Sequence, residues 1–100
     1  MYIIRDIFHL QFGHYRDAKA LVDEAMQKNM MPEAENQRLL TDFTGDSYRL
    51  IFESEYNSLA DYEKLLTGTL GKSDWKEWYE KFKMHVLSSH REILKKVGEK

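Results

Sequence analysis

The 100-residue sequence contains no cysteine, which excludes disulfides, thiolate metal sites and cysteine nucleophiles. It also has no block of charge of one sign, because 15 Lys and Arg residues stand against 17 Asp and Glu, for a net charge of -2. Nucleic-acid binding through phosphate neutralisation therefore has little to act on, and no such partner is expected. Apolar runs are only a few residues long, so neither a membrane-spanning helix nor a signal segment is expected.

What is present suits one folded domain. Hydrophobic residues make up 42% of the chain and aromatic residues 13%, which is too much for a disordered polymer. A chain of this length matches a single domain, and we expect residues 1–100 to form one. The 4 histidines show no helical i,i+4 pair and no cysteine partner, so no metal site is expected. The composition predicts a soluble, cytoplasmic protein.

The spacing of apolar residues predicts an alternation of strands and helices. The predicted elements are a strand over 2–10 that Gly13 ends, a helix over 14–29 ended by Pro32, hairpin strands over 35–43 and 47–56 joined by the turn 44–47, a helix from Leu59 to Leu70 capped by Asn57 or Ser58, a helix from Ser73 to Val86, and a last strand over 89–97. The last segment also suits a continuation of the third helix, but Ser88 and Ser89 favour a break before a strand.

This β-α-β-β-α-β order is typical of an α+β, ferredoxin-like fold, in which a four-stranded antiparallel sheet carries its helices on one face. The other face has no cover from the chain and mixes apolar with charged side chains. Such a surface is too apolar to remain wet and too charged for an ordinary core, so we predict a two-fold homodimer that packs sheet against sheet. The predicted interface residues are Ile3, Arg5, Ile7, His9 and Ile51.

Asp6 is the first candidate site residue, because it interrupts the apolar face of the first strand that is predicted to meet the helices. An ionised carboxylate is costly to bury without a partner. Asp6 is therefore either paired with His85, Tyr48 or Arg49, or a general base or ligand anchor at the floor of a pocket. His85 continues the stripe of the third helix and is the second catalytic candidate, with a satisfied core histidine as the alternative.

Large aromatic residues either line a pocket between sheet and helices or fill that space as core. The predicted pocket-lining residues are Trp75, Trp78, Tyr79, Phe82 and Tyr48.

The layout, opening with YIIRDIFHLQFG and closing with SSHREILKKV, resembles the dimeric α/β-barrel superfamily. Within it the chain looks most like NIPSNAP-like domains, and more distantly like the antibiotic-biosynthesis monooxygenases. The resemblance covers nearly the whole chain, through a first strand ending near Gly13, an aromatic third helix and a terminal Arg-Glu-Ile strand. It implies a homodimer whose two sheets close into a barrel, with a pocket between sheet and helices in each subunit. NIPSNAP-type domains have no generally assigned reaction, so the resemblance specifies fold more than function.

The chain is also similar to the heme-degrading monooxygenases of this fold. They carry an Asn on the first strand, a Trp, and a His ten residues later that ligates the heme iron. Trp75 and His85 reproduce that spacing, whereas the Asn position falls on Asp6. An ionised carboxylate cannot donate the hydrogen bond that an amide supplies.

Three functional hypotheses follow. The first is binding of a small hydrophobic or aromatic ligand, with a cofactor-independent, monooxygenase-like or isomerase-like activity in which Asp6 or His85 moves a proton. The second is a non-enzymatic dimeric interaction module whose pocket is filled by side chains. The third is heme binding through His85. Only the third needs a cofactor.

Overall fold

The computed structural model describes residues 1–28, 35–45, 48–70 and 73–98. Their elements are β1 (Tyr2–Leu10), α1 (Tyr15–Gln27), β2 (Glu35–Thr41), β3 (Arg49–Tyr56), α2 (Leu59–Leu70), α3 (Ser73–Phe82), a one-turn 3₁₀ helix (Lys83–His85) and β4 (Val86–Lys95). The four strands form one sheet in the order β2-β3-β1-β4, and every neighbouring pair is antiparallel. The predicted ferredoxin-like arrangement is confirmed.

The predicted first strand is confirmed as β1, although its buried residues recur at every third position and so lie on both faces. Ile4 and Leu10 are buried on the face that meets the helices, and Ile7 is buried on the opposite face. β1 pairs with β3 on one side and β4 on the other, so it is a central strand whose backbone hydrogen bonds are made within the sheet. Gly13 follows β1 with a φ of 83°, a left-handed conformation that glycine adopts at little cost.

The β2–β3 hairpin is confirmed, with arms somewhat shorter than predicted. The carboxylate of Asp42 accepts a hydrogen bond from the Arg49 backbone N–H at 3.3 Å and another from its Nε at 2.9 Å, which closes the hairpin. Gly45, in the predicted turn, has a φ of 122°. Asp46 and Ser47 of the predicted turn, and the proposed end of the first helix at 29–32, lie outside the described residues.

The helices bury small or aromatic residues against the sheet. On α1, Ala18, Val22 and Ala25 are buried, and their small size lets the helix approach the strands closely. On α3, Trp78 and Phe82 are buried. The main core cluster of the described residues is Leu10, Ala18, Val22, Ala25, Leu50, Trp78 and Phe82. No helix within the described ranges is long and apolar enough to cross a bilayer.

The C-terminal segment is a strand, and the alternative helical continuation is wrong. β4 begins at Val86, three residues before the predicted start. The reason is that α3 ends at Phe82 and a 3₁₀ turn follows, whose last carbonyl, on His85, accepts a hydrogen bond from the Gln11 N–H at 2.9 Å. That contact joins the turn to the end of β1 and places Val86 in the sheet. Ser88 and Ser89, predicted as the break, lie within β4.

The sheet face that points away from the helices, called the open face below, carries the odd-numbered residues of β1. A row of alternating charge crosses this face, one residue from each strand. Its members, in spatial order, are Arg38, Glu53, Arg5 and Glu92. Glu53 accepts hydrogen bonds from Arg38 at 2.5 Å and Arg5 at 3.4 Å, and Arg5 also reaches Glu92 at 3.4 Å.

Candidate functional site

The helix-facing side of the sheet changes from apolar to charged along one row of register partners. Leu39 on β2 lies opposite Phe52 on β3, which lies opposite Asp6 on β1, and Asp6 in turn lies opposite Arg91 on β4. The β2–β3 half of this row is therefore apolar and the β1–β4 half is an ion pair. All four residues line one cavity.

Asp6 and Arg91 form the polar end of the cavity. Arg91 Nε donates to Asp6 Oδ1 at 2.5 Å. Partial burial by itself lowers the pKa of Arg91, but the hydrogen bond and the negative charge of Asp6 outweigh it, so the pKa is raised above its ordinary value. The partner of Asp6 is thus Arg91 on the neighbouring strand, and not His85, Tyr48 or Arg49.

The helices form the walls and roof of this cavity, whose volume is about 240 Å³. The lining side chains from the helices are Val22 and Met26 of α1, Tyr62 and Leu66 of α2, and Trp75 and Tyr79 of α3. Ligand pockets usually measure roughly 300–1,000 Å³. This cavity is smaller than that range, so it suits a small molecule of one or two rings.

Tyr62 closes the polar end from above. Its ring meets that of Tyr56 edge-on, with the centroids 5.1 Å apart, and the guanidinium carbon of Arg91 lies 5.5 Å from the Tyr62 centroid, a cation–π distance. The Tyr62 hydroxyl is buried and has no hydrogen-bond partner within the described ranges. Burial raises the pKa of Tyr62 and of Tyr56, so both remain neutral phenols near pH 7.

The structure brings only some of the predicted residues to this pocket. Asp6, Trp75 and Tyr79 line it, whereas Trp78 and Phe82 are core residues. They lie four positions apart on the face of α3 that meets β1 and α1, where Phe82 packs edge-on against Phe8 at 5.1 Å and the Trp78 indole donates to the Leu21 carbonyl at 2.7 Å.

Tyr48 also lies away from the pocket, at the opposite end of β3. Its ring contacts Phe12, with centroids 5.2 Å apart, and its carbonyl accepts a hydrogen bond from the Leu10 N–H at 2.8 Å. It therefore joins the hairpin to the end of β1.

His85 does not meet Asp6. Its Nδ1 lies 2.9 Å from the Nδ1 of His14, in a shallow depression beside α1 that is separate from the pocket. The stripe of α3 predicts otherwise, but the helix stops at Phe82 and the tighter 3₁₀ turn rotates His85 off that stripe. Consequently Trp75 and His85, despite their ten-residue spacing, do not line one cavity. No group of three or more potential metal ligands occurs in the part of the chain that the structure describes.

The pocket also contains residues that the sequence interpretation did not assign to it, chiefly Arg91, Tyr62 and Leu66. Tyr62 carries a signal of the same kind as Asp6, since it places a polar atom on an otherwise apolar stripe. Arg91 carries no local signal, because its position depends on the pairing of β1 with β4.

The predicted interface residues all lie on the open face: Ile3, Arg5, Ile7 and His9 of β1, and Ile51 of β3. Ile7 and Ile51 are partners across the two strands and are only 4% and 8% exposed. His9 stacks on His90 with ring centroids 5.8 Å apart.

No protein-family model and no curated protein matches the chain. Solved structures match it in fold. A NIPSNAP family protein from Agrobacterium tumefaciens strain C58 superposes with a TM-score of 0.84 at 19% identity, over 98% of this chain and 94% of that one. A NIPSNAP domain protein from Burkholderia xenovorans gives 0.84 at 10% identity, over 99% and 97%. A putative antibiotic biosynthesis monooxygenase from Nitrosomonas europaea gives 0.70 at 10% identity, over 97% and 99%. At these identities the likeness establishes the fold, which NIPSNAP and monooxygenase-like proteins share.

Proposed function

We propose that this protein is a homodimer that binds a small, partly aromatic molecule in the pocket between sheet and helices of each subunit. The observation that carries the proposal is the change in polarity of the lining along one cavity. Phe52 and Trp75 form its apolar end, and the Asp6–Arg91 pair forms its polar end. Such a lining buries a ring and orients it through one polar group. An interaction module with a filled pocket has less support, since a cavity of about 240 Å³ remains between the helices and the sheet.

Asp6 supports an extension of this proposal to proton transfer without a cofactor. Its side chain is on the helix-facing side of the sheet and lines the pocket, and Arg91 donates to its Oδ1. A ligand proton facing the other carboxylate oxygen is in reach of a general base. The activity we propose begins with this proton removal. In an isomerase-like step the proton returns to another atom of the ligand, and in a monooxygenase-like step O₂ oxidises the ligand anion, with one oxygen atom entering the ligand and the other leaving as water. His85 has no part in it, because it lies outside the pocket, and heme binding through His85 gains no support from its contact with His14.

The open face supports the homodimer. Its charge row reads plus, minus, plus, minus across the strands. In a dimer whose open faces meet around a two-fold axis parallel to the strands, β2 of one subunit lies over β4 of the other, and β3 lies over β1. This arrangement therefore sets Arg38 over the partner's Glu92 and Glu53 over the partner's Arg5, so that the row is complementary to itself. Exposed Leu40 and Leu94 beside the row supply apolar area for the same contact.

Ligand-observed saturation-transfer NMR with 2-naphthol tests the pocket. Leu66 lines the cavity, and its neighbour Leu65 is 36% exposed. We expect transfer to 2-naphthol from the natural protein and from Leu65→Trp, and loss of transfer in Leu66→Trp, because an indole at position 66 fills the cavity. Absence of transfer from the natural protein, or equal transfer from both variants, contradicts the binding proposal.

A further inference from the structure

We infer that the polar group of the bound molecule is a neutral oxygen acceptor, a ketone or a phenol, seated between the Tyr62 hydroxyl and the Arg91 guanidinium. This inference rests on the proposed function and specifies the ligand class of the same pocket.

The first observation is the Tyr62 hydroxyl. It is buried and finds no partner among the described residues, although leaving a buried hydroxyl without a hydrogen bond is unfavourable. Because burial raises the pKa of Tyr62, the group keeps its proton and is a donor. Tyr62 lines the cavity, so a ligand oxygen in the cavity is the natural acceptor.

The second observation is the incomplete use of Arg91. Only its Nε is engaged, by Asp6, and a guanidinium has four further N–H donors on its two terminal nitrogens. These find no acceptor within the described ranges. Since the guanidinium lies 5.5 Å from the Tyr62 ring centroid, both sets of donors serve the same end of the pocket.

The third observation is charge. On the helix-facing side of the sheet, the ionised residues that line the cavity are Asp6 and Arg91, one carboxylate and one guanidinium, and they are joined as a pair. Glu53 and Arg38 also border the cavity, but they belong to the charge row of the open face and are paired with each other there. The positive charge that a ligand carboxylate needs is already neutralised, and such a ligand also lies beside the negative charge of Asp6. Placing an uncompensated charge in a partly buried site is unfavourable. A ketone or a phenol satisfies the donors without adding charge.

Three probes that share one ring system test this inference: naphthalene, 2-acetylnaphthalene and 2-naphthoate, each titrated against the protein by NMR. We expect 2-acetylnaphthalene to bind about five- to tenfold more tightly than naphthalene, as one buried hydrogen bond provides, and 2-naphthoate to bind more weakly than the ketone. Tyr62→Phe removes the advantage of the ketone and leaves naphthalene unchanged. Tyr48→Phe is the matched control, because it removes the same hydroxyl from a tyrosine that lies away from the cavity, against Phe12.

The outcomes separate the two proposals. If none of the probes binds, the proposed function fails. If naphthalene and 2-acetylnaphthalene bind equally, or if Tyr62→Phe keeps the preference for the ketone, the pocket is a binding site but the acceptor inference is wrong. If 2-naphthoate binds most tightly, the ligand class is anionic and the inference is overturned on charge.

Discussion

A lysine in place of Leu40 tests whether a second copy covers the open face. Leu40 lies on the edge strand β2, opposite Ile51, and is 40% exposed in the single subunit. An isolated subunit should accept Leu40→Lys with little loss of stability, since the side chain reaches solvent. Ile7 is less informative, because it is only 4% exposed within one subunit and a charge there would also destabilise the monomer.

The size of the effect follows from the area that the dimer would cover. Burying a whole leucine side chain contributes roughly 1.5–3 kcal/mol. The 40% of Leu40 that is exposed in one subunit would be buried in each of the two subunits of a symmetric dimer. Losing this burial weakens association by roughly 1.2–2.4 kcal/mol, or about 8- to 60-fold in the dimer dissociation constant. Two buried ammonium groups weaken it further.

Sedimentation velocity over a concentration series measures this dissociation constant. Leu59→Lys is the matched control, because Leu59 is 43% exposed and lies on α2, on the helix side of the sheet. We expect the natural protein and Leu59→Lys to form dimers at micromolar concentration and Leu40→Lys to sediment as a folded monomer. A natural protein that is monomeric, or a Leu40→Lys dimer of unchanged affinity, would refute the assignment of the open face as the interface.

Further predictions concern the core, the tyrosines and His85. Phe82→Ala, at a fully buried position, should lower the free energy of unfolding by about 3–5 kcal/mol in urea titrations; a smaller loss would mean that the core collapses around the gap. Burial raises the pKa of Tyr56 and Tyr62 in the folded state, so their contribution to stability should be intact up to about pH 10 and decline as pH rises through the folded pKa values. Tyr62→Phe should flatten that decline, as followed by circular dichroism. His85→Ala should leave 2-naphthol binding unchanged in NMR titrations, and a clear loss would place His85 in the ligand site after all.

Much of the fold is predictable because each element carries its own local pattern. The first strand, the glycine that follows it and the first helix depend on neighbours in sequence, and all appear in the structure. The start of β4 is less predictable, because Val86 continues the apolar spacing of α3. It enters the sheet through its pairing with Leu10 and through the contact of the preceding turn with Gln11, both far away in sequence.

The site is harder to predict than the fold. The pattern of β1 correctly marks Asp6 as a polar residue on the helix-facing side, but its partner depends on which strand lies beside β1 and in what register. The assignment of His85 assumed that the helical period continues through residue 85, whereas α3 ends at Phe82. Helix ends depend on tertiary contacts, so a side chain just beyond one is the hardest to place from periodicity.

The ion pair of the pocket and the register of β4 are specified by the same side chains. Asp6 lies opposite Arg91 on the pocket side, and the next pair, Arg5 and Glu92, lies opposite on the open face. A slip of one residue in one direction sets Asp6 against Glu92, and a slip in the other sets Arg5 against Arg91. Like charges directly opposite each other are unfavourable, and each slip also turns every side chain of β4 to the wrong face. The residues at the polar end of the pocket thus also stabilise the position of the strand that carries Arg91, which explains how a charged pair can persist at the floor of a largely apolar cavity.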